Sequence, residues 1–318
     1  MAINKTDIIK EYGAYYKAGS ANEKRLKRLL LFGRETTKLA TEIKTDDTLY
    51  QLGQSKISSL VQSFQKGFTP KGDLTFTPNE IRLFHFKVDL EIYPDDISDS
   101  WLGFLESNSL TRKEWPLVRY IMESHFYQQI DDDMERLVYY KGVYVAPTTG
   151  TAGVTSGAMN GLKIQLQSPK VNHVALAPLE ASTIYDQVEL FYESISEEYQ
   201  GQKLIFGMSP SWRRKFLKDK RALGYYEKKG PDEIDDGIDF TPSSVIGLPS
   251  MIGTDDIWAT PVGNFLHITK KGENASKANI EESKRCLAIM TDWYEGLGFG
   301  LNETVWTNVA AVAPAPAE

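Results

Sequence analysis

The chain has 318 residues, 11% aromatic and 25% charged, which excludes an intrinsically disordered protein and leaves room for one large domain or two modest ones. Its one cysteine, Cys286, excludes an internal disulfide framework and weakens any thiolate zinc site, and the four histidines are scattered without ligand spacing, so no metal or cofactor is expected. The net charge of −7 is uneven: residues 1–45 hold ten Lys/Arg against five Asp/Glu, and this +5 leaves −12 for the remainder.

No apolar h-region opens the chain, and no apolar run approaches the ~18 residues of a membrane span, so a cytosolic product without a membrane partner is expected. Residues 1–20 are polar with Tyr12, Tyr15 and Tyr16 and read as an arm. Residues 21–44 place Leu26, Leu29, Leu30, Leu39 and Ile43 at helical spacing, interrupted by Gly33. The basic run EKRLKRLLLFGRETTK, 23–38, reads either as a solvated helix face or as a segment facing a polyanion. No recognition helix, zinc finger or RNP pattern accompanies it, which argues against sequence-specific binding of nucleic acid.

Residues 55–93 predict two long strands joined by a loose tip. KISSLVQSFQ is β-rich, GFTPKGD punctuates a turn, and the chain returns through LTFTPNEIRLFHFKVDLEIYP. In FHFKVDLEI, 84–92, even positions are apolar and odd ones polar, the mark of a strand with one dry face. A two-stranded ribbon is marginal alone, so its dry face needs a cover from its own chain or a neighbour.

The strongest helix spans 111–141, about 45 Å at 1.5 Å per residue. Thr111 and Glu114 offer a capping box, Pro116 disturbs the first turn, and an apolar stripe runs through Trp115, Val118, Met122, Phe126, Ile130, Met134, Leu137 and Val138. GVYVAPTTGTAGVTSGAMNG, 142–161, lacks P-loop register and reads as a flexible connection. An amphipathic helix follows over 183–200. KLIFGMSP is a short strand, and SWRRKFLKDKRALG is a basic helix begun by Ser209 and Pro210. Three short strands, SVIGLPSM, DIWATP and NFLHIT, precede a β-ribbon over 286–309 and a low-complexity tail.

Chemistry is sparse. The acidic doublets at 46–47, 95–96, 235–236 and 255–256 and the triplet 131–133 read as solvated turn and cap residues, since neighbouring side chains point apart. No nucleophile elbow occurs, GLGFG lacks the strand-then-helix setting of a dinucleotide site, and Cys286 starts an apolar stretch. An α/β enzyme centred on 183–270 would lack a nucleophile, a base and a cofactor loop, so no catalytic residue is assigned.

Several phrases resemble the major capsid proteins of tailed phages, with the Hong Kong 97-type fold, those of Bacteroidetes phages in particular. They are FTPNEIRLFHFKVDLEIYPDDI at 76–97, TRKEWPLVRYIMESH at 111–125, MSPSWRRKFLKDKRALG at 208–224, SVIGLPSMIGTDDIWATPVGNFLHIT at 244–269 and DWYEGLGFGLNETVWTNV at 292–309. The resemblance implies an α+β subunit with an N-terminal arm and basic helix (1–50), an extended β-ribbon loop (51–97) and a peripheral domain (98–170) with a spine helix at 111–141. An axial domain (171–279), a return to the peripheral domain (280–309) and a disordered tail (310–318) complete it. It implies self-assembly into hexamers and pentamers around double-stranded DNA, with scaffold, portal and decoration proteins as further partners, in a virion capsid built in the host cytoplasm. The implied strap comprises Phe68, Pro70, Lys71, Gly72, Asp73 and Phe76, its tip on a neighbouring subunit. Lys24, Arg25, Lys27 and Arg28 would face DNA without reading sequence. A short arm directly after Met1 implies a separate scaffold or none. A tail-tube or decoration subunit is the alternative, with the enzyme behind it.

Overall fold

The computed structural model describes residues 34–109, 111, 117–224, 235–271, 276–283 and 286–312. Their strands form two five-stranded sheets, each with its own buried core, and a separate two-stranded ribbon.

A short helix α1 (Glu35–Lys38) and a strand β1 (Thr41–Thr45) come first. The ribbon is β2 (Leu49–Ile57) and β3 (Leu74–Arg82), antiparallel from Leu49 opposite Arg82 to Ile57 opposite Leu74. One residue later β4 (Phe84–Ile92) leaves the ribbon and pairs with the long strand β11 (Cys286–Phe299), where Phe86 stacks on Trp293 at 5.3 Å. Phe84, Phe86 and Ile92 are buried while His85, Lys87, Asp89 and Glu91 are exposed, as the alternation predicts; Leu90 departs from it and is exposed. The dry face shares its core with Phe126, Ile130 and Met134 of the long helix, so its cover comes from its own chain.

Helix α2 (Pro94–Ser107) starts on a proline, whose missing N–H has no helical partner at that position. The long helix α3, 117–138, alternates α turns (Leu117–Ile121, Tyr127–Asp133) with π turns (Met122–Phe126, Met134–Val138). Met122, Phe126, Ile130, Met134 and Val138 recur at every fourth position and are all buried. In a regular α-helix a four-residue step rotates the stripe by about 40°. The wider π turns take up that drift and keep one stripe on the core. Leu137 lies one residue off this stripe and is 43% exposed, contrary to expectation.

The helix ends at Val138, short of the expected 141. Gly142 N still closes a last turn onto Val138 O, but the next carbonyls pass to the returning chain, Tyr139 O accepting from Leu162 N and Tyr140 O from Lys163 N. Gly161 permits this approach: a Cβ there would lie 2.5 Å from Tyr140 O. The expected cap at Glu114 and the apolar Trp115 lie outside the described residues.

The chain continues through α4 (Leu162–Leu166), β5 (Asn172–His173), α5 (Ile184–Glu193), α6 (Glu197–Gln200) and β6 (Leu204–Met208). Then come α7 (Pro210–Ala222), β7 (Ser244–Gly247) and β8 (Trp258–Pro261). Ser209 caps α7 as predicted, its Oγ accepting from Trp212 N at 3.4 Å. β9 (Phe265–Lys270), β10 (Ser276–Ser283), β11 and β12 (Trp306–Thr307) close the described chain. The first sheet has the order β1-β9-β11-β10, with β4 also on β11, and the second the order β5-β12-β8-β6-β7. Trp258 on β8 joins the two units, its ring 5.6 Å from both Phe265 and Phe299 of the first sheet.

Three expectations need correction. Within 21–44 the described helix is only α1, and Thr41–Thr45 is a strand parallel to β9, whose open edge it takes. The first ribbon strand spans 49–57, not KISSLVQSFQ, so Leu60, Val61 and Phe64 belong to the tip. The chain also does not change sheets at 279/280. β10 stops opposite Trp293 and leaves that edge of β11 open, so β9 pairs with Glu295–Phe299 of the first sheet. Trp306–Thr307 instead joins the second sheet, between β5 and β8.

Candidate assembly surfaces and a buried charge centre

The ribbon tip, 58–73, has no regular structure but holds itself together. Ser58 N donates to Asp73 O at 3.1 Å, Asp73 N to Ser58 Oγ at 2.7 Å, Gln62 Nε2 to Thr69 O at 2.8 Å, and Lys71 Nζ to Val61 O. Gly67 and Gly72 turn the chain at φ of 110° and 96°, conformations that side chains resist. Tip and adjoining strand present apolar groups outward: Phe64 is 94% exposed, Phe68 95% and Phe76 70%. Of the six residues expected to form a strap, Phe68, Pro70, Lys71, Gly72 and Asp73 share this tip, and Phe76 stands on β3 beside it. Leu60, Val61 and Phe64 join them. The expected strand boundary hid these three, although the apolar pattern LVQSF is visible in the sequence. Isolated exposed apolar residues are ordinary, but here Leu60, Val61, Phe64, Phe68 and Phe76 are all exposed within one short stretch of chain.

The base of the ribbon is fixed to the first sheet. Ile81 and Leu83 pack with Leu266 and Ile268, and Asn79 Nδ2 donates to Phe299 O at 2.6 Å and Gly300 O at 2.9 Å. A groove of ≈ 870 Å³ opens between the end of β4 and α3. Buried Ile92, Ile121 and Phe126 line it together with exposed Glu91, His125 and Asp132.

Asp131 and Glu135 of α3 belong to a charge centre. Arg34 is buried and donates from Nε to Asp131 at 2.8 Å, and from Nη1 to Glu295 at 2.7 Å and to the Tyr139 hydroxyl at 2.5 Å. Glu295 also accepts from Tyr139 OH at 2.5 Å, His267 Nε2 at 2.8 Å and Trp293 Nε1 at 3.0 Å. Burial alone would raise the Glu295 carboxyl, but the Arg34 charge and the donors from His267 and Tyr139 outweigh it and hold it well below the usual range. Burial pushes Asp131 up to about 6, with Arg34 opposing. Glu135 is also raised by burial, against hydrogen bonds from the backbone and hydroxyl of Thr36. Burial pushes the Tyr139 hydroxyl up as well, so it stays a donor. The centre ties residues 34–36, where the N-terminal segment enters the fold, to α3, β9 and β11. Arg34, Tyr139 and Glu295 at its heart are buried, while Asp131 is partly exposed.

The sequence places Arg34 in a solvated or polyanion-facing run, and the structure makes it a core counter-ion. Lys24, Arg25, Lys27 and Arg28 lie outside the described residues. One signal pointed to Glu295: it alone puts a carboxylate among Leu287, Ile289, Thr291, Trp293, Leu297 and Phe299, the buried alternate positions of β11.

The acidic doublets resolve into separate partners. Asp235 and Asp239 bind the buried Lys220 ammonium at 2.8 Å each, while Asp236 pairs with Arg213 at 3.2 Å. Asp255 accepts from Trp212 Nε1 at 2.7 Å, and Asp256 from Tyr140 OH at 2.7 Å and Lys163 Nζ at 2.9 Å. Among the described residues no group of three or more His, Cys, Asp and Glu is placed to hold a metal, and no helix is long and apolar enough to cross a membrane.

No family model matches the sequence, and no curated protein matches it. The fold does have relatives. A chain of the structure described as "Satellite phage P4 procapsid including size determination (Sid) protein" aligns at a TM-score of 0.59 and 10% identity, over 96% of this chain and 97% of that one. "Microbacterium phage Oxtober96" aligns at 0.51 and 10%, over 88% and 91%. "Capsid of empty GTA particle computed with C5 symmetry" aligns at 0.50 and 13%, over 86% and 89%. At such identities the likeness establishes the fold, and that fold is the Hong Kong 97-type α+β fold of phage capsid structures.

Proposed function

We propose that this chain is the structural subunit of an icosahedral phage-type shell that assembles from its own hexamers and pentamers around double-stranded DNA. The observation that carries the reading is the whole-length correspondence with a procapsid chain, over 96% of one and 97% of the other. A tail-tube or decoration subunit is the weaker alternative for the same reason. The exposed aromatic tip adds physical support, because a projecting ribbon with Phe64 and Phe68 in water is costly for a monomer and useful as a strap. The neighbour's groove beside α3 is a fitting seat: its apolar floor takes an aromatic ring, and Glu91 and Asp132 complement Lys66 between the two phenylalanines. The basic run before Arg34 would lie along packaged DNA without reading its sequence. Portal and decoration proteins, and any scaffold, would be further partners in a host cytoplasm, none of them needed for rings to form, and the role requires no catalysis.

The test is full-length protein expressed alone, followed by negative-stain electron microscopy with light scattering. Rings of five and six or closed shells are the expected products. Open tubes, or a monomer at every concentration reached, would overturn the reading.

A further inference from the structure

The second unit carries two charged helix faces of opposite sign that do not meet within the subunit. Helix α5 buries Ile184, Tyr185, Val188 and Phe191 and exposes Asp186, Leu190 and Glu193; α6, which follows three residues later, exposes Glu197 and Glu198. Helix α7 buries Trp212, Phe216 and Lys220 and exposes Arg214, Lys218 and Arg221. Each set follows the i, i+4, i+7 row of a single helix face. The two helices pack against each other through their buried sides, with the rings of Tyr185 and Phe216 5.4 Å apart and Tyr185 N donating to Asp219 at 2.9 Å.

The inward cations of α7 have partners: Arg213 meets Asp236, and Lys220 meets Asp235 and Asp239. Among the described residues, no ion pair joins Arg214, Lys218 or Arg221 to any carboxylate, nor Asp186, Glu193, Glu197 or Glu198 to any cation. A merely solvated surface mixes its signs, because like charges one turn apart repel by a few tenths of a kcal/mol per pair. Here the signs are segregated. Leu190, 58% exposed, sits inside the acidic face, as an apolar contact would require.

We propose that the acidic face of α5–α6 in one copy docks on the basic α7 face of the next copy, and that this contact closes the capsomer ring. The inference rests on the shell reading above. Two different faces meet, so the contact is head-to-tail, and a head-to-tail contact that closes produces a ring. A nucleic acid could compete for α7 alone, but it would leave the acidic face unexplained.

The test uses the full chain in three forms. Variant A carries R214E, K218E and R221E, so both faces are acidic. Variant B carries D186K, E193K and E197K, so both are basic. Variant AB carries all six. All positions are exposed, and circular dichroism and thermal midpoints verify the fold. A and B alone should each lose at least about ten-fold in ring and shell yield. AB restores complementarity and should recover rings of five and six. A mixed with B can only alternate, so it should recover six-membered rings and no five-membered ones. Wild-type yield in A and B, or failure of both AB and the mixture, would overturn the contact. Intact rings in A with loss of bound nucleic acid would also overturn it and assign α7 to the polyanion. A wild-type chain that forms no rings would overturn the shell reading itself, and this inference with it.

Discussion

Arg34 and Glu295 are 261 positions apart in sequence and 2.7 Å apart in the core, where they fasten the incoming N-terminal segment to the longest strand of the first sheet. The pair is wholly buried and supported by Tyr139, Asp131 and His267. Its removal from one side leaves an uncompensated charge. Arg34→Met should cost about 3–5 kcal/mol of unfolding free energy in urea. Arg34→Met with Glu295→Gln should cost less than Arg34→Met alone. A loss under about 1 kcal/mol for the single variant would show that the centre does not anchor the segment.

The same centre gives a pH signature of defined sign. Asp131 is raised from 3.8 to about 6, so the folded state holds its proton more tightly than the unfolded chain does. Its contribution to stability is therefore full at low pH and is lost as pH rises between about 4 and 6, on the order of 2 kcal/mol. Glu295, held low, works in the opposite sense and is lost only as pH falls below the ordinary carboxylate range. Asp131→Asn should remove the first slope, so the stability difference between wild type and this variant should change between pH 4.5 and 7. A constant difference across that range would contradict the assignment.

The elements that were legible in the sequence are those whose reasons are local. β4 shows its alternation, α7 its Ser209–Pro210 start, and α3 its four-residue steps. The features that were not legible depend on distant partners. Thr41–Thr45 continues a helical pattern in sequence and becomes a strand because β9 offers it an edge. FLHIT suits either sheet, and only the open stretch of β11 beyond Trp293 decides which. Arg34 looks like one more cation of a basic run until Glu295 and Asp131 are placed beside it. The apolar tip was half visible, its extent hidden by an overlong first strand.

Gly207 sits on β6 against Trp258, and a Cβ there would overlap the indole. That ring is fully buried and bridges the two units, so it has nowhere to move. Gly207→Ala should cost about 1–3 kcal/mol or more by urea unfolding. Gly53→Ala, which meets no neighbouring atom, serves as the control. Equal midpoints for the two variants would remove Trp258 as the rigid joint.

The basic run before Arg34 should act on DNA retention. Replacing Lys24, Arg25, Lys27 and Arg28 by Glu reverses four charges and should lower the nucleic acid held by assembled particles, most strongly as salt rises. The ratio of absorbance at 260 and 280 nm in purified particles reads this out, in the wavelength range set by the bases and aromatic residues. An unchanged ratio at all salt concentrations would assign the run to contacts between subunits.

A ribbon tip that straps one copy to the next, as proposed, is indispensable to assembly, and a variant in which 58–73 is replaced by Asn-Gly tests this against wild type. Ile57 and Leu74 are already paired, so a two-residue turn closes the ribbon without disturbing its register. Electron microscopy and light scattering of the two proteins, prepared identically, should show wild-type shells and a folded but unassembled variant. Closed shells from the variant at wild-type yield would contradict the strap.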